Sequence, residues 1–134
     1  MSGEQPQQRI VTITLVVADY NEAIAWYTER LGFRLFEDTD LGGGKRWVTV
    51  GPADNGVRLL LAQPKNAEER SRVGNQTGGR VFLFLETDDF ARDHSAMLSR
   101  GVEFQETPRH EAYGTVAVFA DLYGNLWDLL EPKR

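Results

Sequence analysis

Apolar and polar positions follow the same order twice along the chain. An apolar, β-branched run over residues 10–17, with threonines interleaved, predicts a strand. Asp19 follows as a helix cap with Glu22 three residues on, and Ile24, Tyr27 and Leu31 then form a stripe at i, i+3 and i+7. Gly32 supplies the stop. The pattern returns in VFLFLETDDFARDHSAMLSRGVEF: a strand from Val81, Asp88 as the expected cap, a helical stretch with Phe90, Met97 and Leu98, and Gly101. Asp19 and Gly32 are separated by the same thirteen residues as Asp88 and Gly101. Each helix precedes three short strand candidates divided by turn residues. They cover 33–41, 46–50 and 57–62 in the first half, and 102–106, 115–120 and 126–130 in the second. Each half therefore reads β-α-β-β-β.

The intervening QPKNAEERSRVGNQTGG is polar and glycine-rich, and predicts a surface connection rather than a folded element. The chain divides into a first module over 10–62, a linker over 63–78 and a second module over 79–132, all within one domain spanning 1–134. One helix on a four-stranded sheet covers a single sheet face, so two such units must pair, and two curled sheets would enclose a pocket. The expected class is α+β, two βαβββ modules forming a cupped mixed sheet.

Composition narrows the chemistry. Fifteen basic against twenty acidic residues give a net charge of −5, with no Lys/Arg run to follow a phosphate backbone, so nucleic acid is not the expected partner. Without cysteine there is no disulfide, zinc thiolate or thiol nucleophile, and any metal would rest on His, Asp or Glu. MSGEQPQQR lacks the apolar core of a signal peptide, and no run approaches a membrane span, so a cytoplasmic protein is expected.

Asp128 is the oddest residue in the pattern: a carboxylate among the apolar neighbours of LWDLLEP, where an unpaired charge is costly. One reading makes it a general base or an acceptor that orients a ligand. The other makes it a structural group paired with an arginine or with backbone. In TPRHEAYG, Arg109 offers a planar fork for a carboxylate or phenolate and Tyr113 an aromatic wall. Glu111 joins them as a ligand-binding candidate, while His110 and His94 receive no role; a solvated strand edge is the plainer reading of this loop. Trp47, in KRWVTV, is a flat surface suited to stacking if its face of the strand looks into the cup, and core packing otherwise. Trp127 and Asp128 must point to opposite faces, with Trp127 toward a helix, and Trp26 lies off the first helix's main stripe.

The segment ADYNEAIAWYTERLGF, the internal repeat, and the closing FADLYGNLWDLLEP with its D-x-x-G-N turn resemble the vicinal oxygen chelate superfamily, which includes glyoxalase I, bleomycin-resistance proteins and extradiol dioxygenases. The resemblance spans residues 10–132 and implies the cupped fold and a homodimer. In metal-using members four inward side chains hold a divalent ion. The matching positions here are Thr12, Leu59 or Leu60, Phe82 or Val81, and Asp128, so one ligand of four is retained. The resemblance therefore implies binding of a small planar or aromatic molecule in a metal-free cup, with no cofactor. The alternative is a divalent-metal lyase, isomerase or dioxygenase with a rearranged site using Asp128 with Glu111, His110 or a donor supplied by the ligand. A metal-free enzyme with Asp128 as base is a third.

Overall fold

The computed structural model describes residues 7–134. Strand β1 (Thr12–Val16) leads to α1 (Tyr20–Ala25), which continues as a wider π-helical turn over Trp26–Arg30. Strands β2 (Arg34–Gly42), β3 (Lys45–Gly51) and β4 (Arg58–Ala62) complete the first sheet, in the order β1-β4-β3-β2. The second begins with β5 (Val81–Glu86) and α3 (Phe90–Ser99), followed by β6 (Glu103–Phe104), β7 (Arg109–Glu111), β8 (Gly114–Ala120) and β9 (Leu126–Pro132). Its order, β5-β9-β8-β6, repeats the first, and in both sheets the opening strand runs parallel to the closing one. The added β7 pairs with β8, so part of the TPRHEAYG loop is strand.

Two local expectations need correction. The second helix is capped by Asp89, whose side chain accepts from the Arg92 amide; Asp88 is free of that task and ion-pairs with Arg92. In DD the second aspartate holds the extended conformation an N-cap requires. The connection is also not merely a surface strand of chain. It contains α2 (Ala67–Arg70), capped by Asn66 on the Glu69 amide. Gln76 accepts from the Val16 amide, donates to the Thr14 carbonyl and, through its own amide, donates to Asn125. The linker thus covers the edge of β1, a place where unpaired backbone groups would otherwise remain.

The helical stripe builds one core from both modules. Tyr27 is fully buried, and Trp127 packs against it and against Phe33, with ring centroids 6.1 and 5.9 Å away. Trp26 stands edge-on to Tyr27, and His94 stacks on Phe90 and meets Phe104, so both are packing residues. The two helix ends exchange arginines: Arg30 donates to the Arg100 carbonyl and Arg100 to the Arg30 carbonyl. Each fills an acceptor the opposite helix leaves open at its C-terminus. This crossing explains the paired glycines. Gly32 and Gly101 both have φ near +86°, at 84° and 86°, and a Cβ on Gly101 would lie 2.5 Å from Arg30 Nη1.

Candidate functional site

Strand alternation sorts each sheet into a closed and an open face. In the first sheet Leu15, Val17, Val48, Val50, Leu59 and Leu61 are buried on the helix side. The opposite face carries the row Thr14, Leu60 and Thr49, in register across three strands, with the Thr49 hydroxyl donating to Glu37. Trp47 lies two residues from Thr49 and belongs to this open face, 40% exposed. That settles the side of the strand it occupies. Leu41, Lys45, Trp47, Leu60, Gln63 and Lys65 surround a cavity of about 500 Å³ where this face meets the segment after β4. Sequence reasoning named Trp47 alone; Gln63 and Lys65 sit in what reads as polar linker, and only the folded path of that linker brings them here.

The open face of the second sheet holds Asp128, in register with Phe84 on β5 and Val118 on β8. Phe84 is 65% exposed although it lies mid-strand. The alternation of VFLFLE is equally apolar on both faces, so nothing in the sequence marks Phe84 as outward. Asp128 is only 8% exposed, and its Oδ1 makes no hydrogen bond among the described residues. Burial pushes its carboxyl pKa up, the Arg109 charge draws it down in part, and the Glu106 charge adds to the rise.

Arg109, Glu111 and Tyr113 belong to this second sheet and its β7–β8 turn, whereas Trp47 belongs to the first. Arg109 shares the Asp128 face, since it is in register with Val116, two residues from Val118. Its fork is already engaged: Nε donates to Glu106 Oε1 at 2.9 Å and Nη1 lies 3.7 Å from Glu111 Oε2. Glu106 also accepts from the Val118 amide, and with Arg109 beside it its pKa falls below the usual carboxylate range. Glu106, which sequence reasoning left as the end of a strand, is therefore the residue that fixes Arg109. Tyr113 is 54% exposed. His110 faces away, with Nδ1 3.3 Å from the Thr115 hydroxyl.

The sequence model of the Glyoxalase/Bleomycin resistance protein/Dioxygenase superfamily matches residues 9–129. The chain belongs to this superfamily. An uncharacterized protein of Shewanella frigidimarina is 56% identical over 127 residues, covering 93% of this chain and 94% of its own length. YurT of Bacillus subtilis, also uncharacterized, is 31% identical, with 92% and 98% covered. Among solved structures, UcmS2 superposes with a TM-score of 0.81 at 30% identity, covering 93% of this chain and 98% of that one. TnmS3, an antibiotic binding protein from Streptomyces sp. CB03234, superposes with a TM-score of 0.78 at 27% identity, with 97% and 100% covered.

The superfamily's metal positions can now be read in place. Leu60 takes the second of them, because Leu59 is turned to the helix. Thr12 is in register with Arg58, whose guanidinium lies over the Phe36 ring and 3.6 Å from Glu37, and the Thr12 hydroxyl is a poor donor for a divalent ion. At the third position a register shift between Val81 and Leu83 leaves Phe82 against Trp127, their centroids 6.1 Å apart. Asp128 remains as the one carboxylate, and among the described residues no group of three or more His, Asp or Glu converges anywhere. A hydroxyl, two hydrocarbon side chains and one carboxylate do not fit a divalent ion that needs three or more donors.

Proposed function

We propose that this protein binds a small planar or aromatic organic molecule on the open faces of its sheets, as a binding protein without a metal or other cofactor, in the cytoplasm. The observation that carries this reading is Asp128: a buried carboxylate with an unused oxygen, beside an exposed phenylalanine. Such a group costs stability unless a donor arrives, and a ligand N–H or O–H is the donor the face lacks. Trp47, Phe84 and Tyr113 give flat surface for stacking, Arg109 and Glu106 set the charge around Asp128, and Glu111 lies 3.7 Å from Arg109. The fold of TnmS3, described as an antibiotic binding protein, supports the same class of activity.

The reading includes a homodimer. Within one chain the helix sides are already packed into a shared core, while Trp47, Phe84 and Tyr113 stay exposed. A second copy laid over the open faces would turn them into closed cups.

N-phenyl-naphthylamine, an aromatic probe with a single N–H donor, tests this by energy transfer from tryptophan. The wild-type protein is expected to bind it saturably, Asp128→Asn and Trp47→Ala to bind it weakly, and light scattering to give twice the chain mass. A folded protein that leaves the probe free, or binds it equally well in both variants, contradicts the proposal.

A further inference from the structure

We infer that the cavity beside Trp47 is an anion subsite, so that the ligand is an aromatic molecule carrying an acidic group. The inference rests on the reading of the cup as a ligand site and names what that site selects.

Lys45 opens β3 and Lys65 follows β4, and both line the cavity that contains Trp47. Neither ammonium makes an ion pair among the described residues, although the chain carries an excess of acid, at net charge −5. The cavity's third cation is occupied. Arg46 is held by Asp38 at 2.7 Å and by Asn21 at 2.8 Å, and lies over the Tyr20 ring. Glu69, also in the lining, accepts from the Lys65 backbone amide and keeps its negative charge, which the two ammoniums outnumber.

Gln63 adds a directed donor. Its Oε1 accepts from the Tyr20 amide at 2.9 Å, in the first turn of α1, which fixes which end of the amide is oxygen. The Nε2 group makes no hydrogen bond among the described residues, and Gln63 lines the cavity. Gly43 and Gly44 form part of the rim, where a Cβ would meet nothing within 4 Å, so the mouth is left open beside the two ammoniums. Two unpaired cations, an amide N–H donor and the face of a tryptophan together suit a carboxylate, sulfonate or phenolate attached to an aromatic ring.

Two probes sharing one ring system test it on the full chain: anilinonaphthalene sulfonate, and N-phenyl-naphthylamine, which lacks the sulfonate. The sulfonate is expected to bind the wild-type protein more tightly than the amine. Combining Lys45→Glu with Lys65→Glu should weaken the sulfonate by about tenfold or more while moving the amine less than about twofold. The milder Lys45→Gln with Lys65→Gln should fall between. Lys133→Glu, at a cation on another part of the surface, should change neither. Added salt should weaken the sulfonate alone. If the amine binds and the sulfonate gains nothing over it, or loses as much on Lys133→Glu as on the paired change, the anion subsite is overturned while the cup stands. If neither probe binds the folded protein, both fall together.

Discussion

Asp121 and Asp128 are buried to nearly the same degree, 5% and 8% exposed, and stand seven residues apart in one closing segment. Their surroundings are opposite. Asp121 accepts from the Tyr27 hydroxyl at 2.7 Å, the Tyr123 amide, the Asn125 amide and the Asn125 side chain, and so closes the D-x-x-G-N turn and ties the first helix to it. Asp128 leaves an oxygen unused. A satisfied carboxylate in a core is architecture; the unsatisfied one in an open sheet face is the group on which the proposed ligand site rests. In the sequence the two are both single acids in apolar surroundings, and what separates them is three-dimensional: which strand face they take and who donates to them.

The comparison breaks most readily at Asp121. Asp121→Ala strips four donors of their shared acceptor and is expected to destabilise the fold by about 3–5 kcal/mol, read by chemical denaturation. If the loss is below about 1 kcal/mol, the network is not structural. Tyr27→Phe removes one of those bonds and leaves the ring packing, with an expected loss of about 1–2 kcal/mol, while burial and Asp121 keep the phenol well above its ordinary pKa and protonated throughout the accessible range.

Asp128→Asn should move in the other direction. The native carboxyl's pKa lies above that of the unfolded chain, so the folded state holds its proton more tightly. The favourable contribution is complete below the ordinary carboxylate range and is lost as pH rises through the raised value. The asparagine variant is therefore expected to be more stable than wild type near neutral pH, by about 1 kcal/mol, and to lose that advantage in acid. Thermal melts at paired pH values check the sign.

Glu106→Gln gives the smallest and most diagnostic effect. Its own depressed pKa contributes stability above the ordinary carboxylate range that is lost as pH falls through the folded value, and partial exposure keeps this modest. Removing its charge also removes one of the pushes on Asp128, so the Asp128 carboxyl, followed by carbon NMR, should titrate lower than in wild type.

The repeat, the helical stripe and the glycine stops are legible because each rests on local periodicity and on a conformation only glycine adopts easily, as at Gly32 and Gly101. Asp128 is legible because an acid breaks an apolar strand pattern. What is not legible depends on facing and on distant segments. Trp47 needs the sheet to choose its side, Phe84 is hidden in a strand apolar on both faces, and Gln76 reads as linker until it is seen bridging Thr14, Val16 and Asn125. The cap at Asp89 instead of Asp88 shows the ordinary one-residue ambiguity of consecutive capping residues.

The most direct measurement is a paired one on Asp128→Asn at neutral pH: unfolding free energy by denaturant titration, and affinity for N-phenyl-naphthylamine by energy transfer from tryptophan. An unused buried carboxylate kept for a ligand predicts a variant that is more stable and binds more weakly. A variant that is less stable and binds as well as wild type would make Asp128 a structural residue like Asp121, and would remove the site from the face on which it is placed.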